Sequence, residues 1–306
     1  MRVGAAQARC SWLDSAGGVA KVVEFLERGA ADHVELLAFP ETFLSGYPFW
    51  VERTGGARFD DPDQKRAYAA YLDAAVELDG PELRVITEAV RDLKVFTYLG
   101  ITERVRGTVY CSLVAISPDE GIVGAHRKLM PTHEERLVWG IGDGHGLRTH
   151  QVGGFAVGGL ICWENWMPLA RHALYAQGES LHVSVWPGSS GLTGDITRFI
   201  AREGRVYSLA AGALFSYGDI PTDFPFHDQL AECASRYDGG SAIAGPDGQW
   251  IVPPVSGEER LVVADIDPAV VRAERHNFDP AGHYGRGDVL HLQVDRRRRP
   301  PAAFLD

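Results

Sequence analysis

Two rhythms of apolar and polar positions alternate along this chain. Short runs that are apolar throughout predict buried strands, and stretches with apolar positions three and four apart predict amphipathic helices. Residues 2–8 (RVGAAQA) read as a first strand, residues 16–31 as a helix, and VELLAFP as a buried strand stopped by Pro40. Helical spacing returns over 63–78 and 81–93, with Pro81 suited to a first turn. VFTYLGITERV and TVYCSLVAISP predict two strands joined by a turn at Gly107. FAVGGLI, SLHVSVWP and GALFSYG are further strands, with helices expected near 168–177 and 195–209. GGSAIAGPDGQWIVPP predicts a hairpin turning at Pro246-Asp247-Gly248, and ERLVVADID one more strand.

Strand–helix alternation thus gives way to consecutive strands, which predicts an α/β fold with mixed rather than purely parallel sheets. Length alone, 306 residues, suggests about two domains. No linker, composition break or internal repeat divides the chain, so one domain over 1–294 is expected, followed by a short basic tail at 295–306. Charge narrows the partners. A net charge of −11 argues against a nucleic-acid binder, which needs a basic face to displace counterions, and the run DRRRRP is read as a solvated tail or an inter-subunit contact. No run of 18 apolar residues suggests a membrane partner, and no apolar signal core opens the chain. Four cysteines in so long a chain do not form a disulfide framework, so a cytoplasmic location is expected.

The chemistry concentrates in three segments. In GGLICWENWMPLARHALYAQG, Cys162 ends a strand just before a helix that Pro168 opens. A thiol there feels a helix N-terminus, which predicts a lowered pKa, and the following backbone N–H groups offer an oxyanion site. The competing reading is a buried structural cysteine. A base for this thiol is sought among eleven histidines, His172 being near in sequence, and among carboxylates such as Glu41, which follows a strand end. In HRKLMPTHEERLVWGIGDG, Lys128 precedes a proline-containing loop and Glu135 lies seven positions on; singly, both read as surface charges. HEER lacks the second histidine of a metalloprotease motif, and GIGDGHG does not open a helix after a strand as a phosphate loop does. His126, His133, His145 and His150 lack the spacing of a structural zinc site.

Taken together, FPETFLSGYP, HRKLMPT and CWENWMPLAR resemble the glutamate, lysine and cysteine motifs of the nitrilase superfamily of carbon–nitrogen hydrolases, in the family's order. GGSAIAGPDGQW and DPAGHYGRGDV resemble later segments of it. The resemblance implies an α-β-β-α sandwich with mixed β-sheets. It also implies Glu41 as general base, Lys128 as electrostatic stabiliser and Cys162 as nucleophile, with Glu135 positioning water or Lys128. No cofactor and no metal are implied, and pairing into a homodimer or short homo-oligomer is. CWEN and HVSVWPG resemble the nitrilase branch, which implies a small-molecule nitrile as substrate; an amidase, a cyanide-degrading nitrilase and a catalytically silent scaffold are the alternatives. Asn165 stands where cyanide-degrading members tend to carry His. Tyr47, Trp163 and Trp186 flank the motifs and are expected to line an apolar substrate pocket.

Overall fold

The alternation is realised in a computed structural model that describes residues 1–233, 237–298 and 302. The first half runs β1 (Arg2–Gln7), α1 (Ser15–Ala31), β2 (Leu36–Ala38), α2 (Pro62–Ala74), α3 (Pro81–Leu93), β3 (Phe96–Val105), β4 (Thr108–Ser117) and β5 (Gly121–Arg127). It continues through β6 (His150–Val152), β7 (Phe155–Ile161), α4 (Pro168–Tyr175), β8 (Leu181–Trp186), α5 (Ser190–Gly204), β9 (Tyr207–Gly212) and β10 (Leu214–Phe215). The last elements are α6 (His227–Ala231), β11 (Tyr237–Ala244), β12 (Trp250–Ser256), β13 (Arg260–Asp265) and α7 (Pro268–Glu274). Local chemistry sets several starts. The Asp14 carboxylate accepts from the Gly17 N–H at 2.9 Å, and proline opens α2, α3 and α4, where a missing N–H costs nothing.

Two mixed sheets face each other. One has the order β13-β1-β2-β3-β4-β5, with β1, β2 and β3 mutually parallel and the rest antiparallel. The other runs β10-β11-β9-β8-β7-β6, with β12 added to β11 and with β7, β8 and β9 parallel. The sheets meet through large side chains of β3 and β4 against glycine-bearing β7: Tyr98 donates across the interface to the Val157 carbonyl at 2.9 Å. One apolar core runs through both sheets. The helices cover the outer faces by burying one stripe each, Val22, Phe25 and Leu26 of α1 and Leu83, Ile86 and Val90 of α3 over the first sheet. Helix α5 covers the second with Ile196, Ile200 and Ala201. The result is the α-β-β-α sandwich implied by the resemblance.

The helix expected over 195–209 is corrected. It starts at Ser190, ends at Gly204 with Arg205 left-handed (φ 49°), and the chain then enters β9. Strand β9 is buried at every residue between β8 and β11, so it carries no alternation to distinguish it from a buried helix. The segment GALFSYG contributes only the two-residue β10. Strands β5 and β6 lie outside the elements that the apolar pattern predicts, and β5 ends one residue before Lys128. No helix among the described residues is long and apolar enough to cross a membrane. The basic run is described only as far as Arg298; residues 299–301 and 303–306 of the tail lie outside the described residues.

Candidate active site

The parallel strands converge their carboxyl ends on one end of the sandwich, where open α/β sheets place their ligand crevices. The chain leaves β2 through Pro40 to Glu41, whose N–H reaches the Trp186 carbonyl at the end of β8 (3.3 Å) and ties the two sheets together. Gly100 of β3 supports the same turn from behind: a Cβ built there meets the Pro40 carbonyl oxygen at 2.0 Å. Lys128 follows β5, and its N–H is held by the Cys111 carbonyl of β4 at 2.8 Å. Glu135 lies in a short 3-10 turn, His133–Leu137, closed by a capping box with Thr132. Cys162 follows β7 directly with φ of +52°, a conformation a β-carbon disfavours.

That conformation is fixed from two sides. The Glu164 carboxylate accepts the Ile161 N–H (3.0 Å) and the Leu129 N–H (2.5 Å), so one side chain anchors the residues next to both Cys162 and Lys128. Asn165 donates to the Cys162 carbonyl at 2.9 Å, while its own Oδ1 contacts His182 Nε2 (2.8 Å) and accepts from Ser184 (3.0 Å). His182 Nδ1 in turn contacts Glu179 at 2.9 Å, and all of these side chains are buried.

Glu41, Lys128 and Glu135 meet around the sulfur. Lys128 Nζ donates to Glu41 Oε1 at 2.8 Å and to Glu135 Oε2 at 2.7 Å. Tyr47 donates to Glu135 Oε1 at 2.7 Å. Glu41, Lys128, Glu135 and Cys162 are each at most 4% exposed. Glu41, Glu135 and Cys162 bring ligand atoms within 4.8 Å of one another, but the ammonium bonded to both carboxylates already stands as the cation of the set. Of the four predicted catalytic side chains, all are brought together.

Electrostatics corrects the expected low thiol pKa. Burial, then the Glu41 charge, pushes the Cys162 thiol well above its ordinary range; Lys128 and the Trp163 N–H oppose this without reversing it. The turn at Cys162 is a five-residue 3-10 segment and α4 begins only at Pro168, so little helix dipole reaches the sulfur. Burial raises Glu41 to about 7, Lys128 working against it and Glu135 with it. Lys128 is disfavoured by burial, yet Cys162, Glu41 and Glu135 together hold its pKa well above the ordinary value. The resting site therefore holds a charged Lys128, a protonated thiol and a Glu41 near its titration midpoint at neutral pH. Glu41 Oε2 is buried without a hydrogen-bond partner among the described residues, and the Glu41 carboxylate lies within 4.8 Å of the Cys162 sulfur.

A cavity of about 420 Å³ opens on Cys162, lined among others by Tyr47, Glu52, Trp163, Ser189, Leu192 and Tyr237. Tyr47 and Trp163, two of the expected pocket residues, are in this lining. Trp186 does not line it: the ring is fully buried, and its carbonyl serves Glu41 instead. His172 makes no hydrogen bond to this set. Sequence reasoning also missed Cys111, whose thiol donates to Glu41 Oε1 at 3.4 Å, and the buried Glu164–His126 and Glu179–His182–Asn165 contacts. Cys111 was within reach of hairpin register, because pairing β4 with β5 sets Ser112 opposite Arg127 and so Cys111 beside Lys128.

Comparison with known proteins agrees with this geometry. Residues 2–276 match the family model described as carbon–nitrogen hydrolase. The chain is 36% identical over 284 residues to a nitrilase of Bradyrhizobium diazoefficiens, covering 90% of this chain and 86% of that one. It is 32% identical over 316 residues to an aliphatic nitrilase of Rhodococcus rhodochrous, covering 98% and 84%. Among solved structures, the fold is similar to a carbon–nitrogen hydrolase superfamily protein of Xanthomonas campestris carrying an arsenic adduct in its active site (TM-score 0.70, 20% identity, 94% and 97% covered). It is similar also to the C. elegans NitFhit protein (TM-score 0.74, 15% identity, 98% and 68% covered). With the family model spanning nearly the whole chain and the Glu41–Lys128–Cys162 set assembled at its sheet ends, this protein belongs to the carbon–nitrogen hydrolase family.

Proposed function

We propose that this protein is a nitrilase that converts an organic nitrile and two waters to a carboxylic acid and ammonia, with Cys162 as nucleophile. The observation that carries the reading is the buried Glu41–Lys128–Glu135 hydrogen-bonded set, whose Glu135 lines one cavity together with Cys162. Its similarity to nitrilases over 90% or more of the chain supports the nitrile as the substrate class.

The sulfur attacks the nitrile carbon as its proton passes to Glu41, whose unpaired Oε2 is the free acceptor. Charge then develops on nitrogen, and the Lys128 ammonium and the Trp163 N–H stabilise it. Glu41 passes the thiol proton on to that nitrogen, which leaves a thioimidate and an ionised Glu41. The first water adds to its carbon with Glu41 as base; the tetrahedral adduct expels ammonia with Glu41 as acid and leaves a thioester. The second water, deprotonated by Glu41, releases the acid and returns the proton to the thiol. A Glu41 pKa near 7 suits a group that alternately takes and gives a proton. Glu135 holds Lys128 between two carboxylates, so the ammonium stays aimed and charged throughout. Tyr47 and Trp163 contact the substrate, and a cavity of about 420 Å³ accommodates an aromatic or medium aliphatic group.

The catalytic unit is a single domain over 1–294 acting as a homodimer or short oligomer. Trp166, Met167, Leu169 and Phe199, exposed together beside the cysteine motif, supply the apolar face for a second copy. Four unpaired thiols suit the reducing cytoplasm. Ammonia release from a nitrile panel tests the activity, with the corresponding amides run in parallel. Turnover of nitriles without accumulating amide is expected. Cleavage of the amides with every nitrile untouched would establish an amidase instead.

A further inference from the structure

Away from the active site, the strand edges of the two sheets enclose a second cavity of about 170 Å³. Its lining includes His126 of β5, His145, Arg148 and His150, and no aspartate or glutamate. Gly124 of β5 makes the room: a Cβ there would meet His150 Nε2 at 2.9 Å. His145 Nδ1 donates to the Arg296 carbonyl at 3.2 Å, and Arg148 Nε donates to the His145 carbonyl at 2.9 Å. Arg148 is exposed at the mouth of the cavity, and its two terminal nitrogens keep no protein partner among the described residues. His126 gives its Nε2 to the Glu164 carboxylate (3.1 and 3.2 Å), and its buried Nδ1 has no partner.

The basic run at the end of the chain arrives at the same place. Leu292 and Val294 pack on Leu147, Leu160 and the inner face of α4, which lays the following residues along the cavity rim. Arg298 then donates to the Ala125 carbonyl (2.9 Å) and pairs with Asp143 (3.2 Å). On a chain of net charge −11, this gathers guanidinium and imidazole groups around one small polar space. A cation does not suit it, because the ring nitrogens do not converge as metal ligands do; among the described residues only Glu41, Glu135 and Cys162 converge in that way. Asp143 is taken up by Arg298 and Glu164 by His126, so the lining itself presents guanidinium and imidazole groups and no carboxylate, which suits an oxyanion.

We propose that this cavity is a binding site for a small oxyanion, a phosphate or a short carboxylate, and that the His126–Glu164 bond carries its occupancy to the active site. Glu164 holds the N–H groups of Leu129 and Ile161, the neighbours of Lys128 and Cys162. An anion that fixes the His126 ring fixes that carboxylate, and with it the spacing of nucleophile and ammonium. The volume admits inorganic phosphate or acetate and no nucleotide. The binding claim stands whatever the substrate of the enzyme; only the transmitted effect rests on the nitrilase reading.

Calorimetry with the full chain tests the site, using inorganic phosphate and acetate as separate titrants and chloride at matched ionic strength as reference. One ion is expected per chain, weakened about tenfold or more in Arg148→Gln. That variant should keep its activity in the absence of the anion. Binding of phosphate alone or acetate alone supports the site and identifies the source. Neither binding above chloride, or Arg148→Gln binding as tightly as the parent, overturns it. With the anion saturating, kcat on a turned-over nitrile is expected to rise about fivefold in the parent and not in Arg148→Gln. Binding with unchanged kcat overturns the coupling through Glu164.

Discussion

Gly100 offers a way to displace the proposed general base without touching it. The Cβ of an alanine at this position would stand 2.0 Å from the Pro40 carbonyl oxygen, 2.7 Å from the Thr42 nitrogen and 2.8 Å from Glu41 Cα. All three are backbone atoms, so no side chain can swing away. Real Cβ contacts essentially never fall below 3.0 Å, and the Pro40 contact alone therefore demands a shift of about 1 Å in the turn that bears Glu41. Misplacing a catalytic group by that much costs about 10²-fold in rate, and the overpacking costs about 1–3 kcal/mol of stability. Gly107, in the turn of the same β3–β4 hairpin, has nothing within 4 Å of its notional Cβ, so Gly107→Ala serves as the control. Ammonia release under saturating nitrile, with thermal unfolding measured on the same samples, decides the matter. Gly100→Ala should fold, melt somewhat lower and lose about two orders of magnitude in kcat, while Gly107→Ala stays near the parent. A folded Gly100→Ala with more than half the parental kcat refutes the claim that this contact places Glu41.

Other perturbations have defined signs. Glu41 acts as a base only when ionised, so kcat/KM should rise with pH through an acid limb near 7; Glu135→Gln removes a charge that raises Glu41, and the limb should move to lower pH. Cys111→Ala deletes a hydrogen bond that favours ionised Glu41, so its limb should move to higher pH while Cys111→Ser stays close to the parent. Tyr47→Phe leaves a buried carboxylate oxygen of Glu135 unpaired and should lower kcat/KM about 10-fold or more, as charge-assisted hydrogen bonds of about 1.5–3 kcal/mol require. Leu169→Glu with Phe199→Glu places charge on the exposed apolar face, and light scattering should show the assembly falling to monomer.

The elements that carry strong local punctuation were legible in the sequence. Helices α1, α2 and α3, the Gly107 turn and the hairpin at Gly248 (φ +79°) follow from capping residues, prolines and turn glycines. Strand β9 was not, because a strand buried on both faces shows no period. The proposed catalytic residues were legible as motifs, but their coordination was not. Glu41 and Lys128 are 87 positions apart, and the successive pairing of β2, β3, β4 and β5, with the carbonyl of Trp186 holding Glu41, brings them to one point. The thiol pKa was misjudged because a sequence shows a strand-to-helix junction but not how deeply it lies. Trp186 was misplaced for a related reason, since a motif neighbour inside a strand faces the core as readily as the cavity. His126, His145 and His150 lack a shared spacing in the chain, and two sheet edges gather them into one lining.

In the proposed reaction the sulfur of Cys162 attacks the nitrile with Glu41 as its base. Ammonia release by Cys162→Ala, set beside acid-quenched peptide mass spectrometry of the parent during turnover, tests this most directly. A substrate-derived adduct confined to the peptide containing Cys162 is expected, and no ammonia from a folded Cys162→Ala. Sustained ammonia release by that variant, or an adduct on the peptide of Cys111 instead, would contradict it.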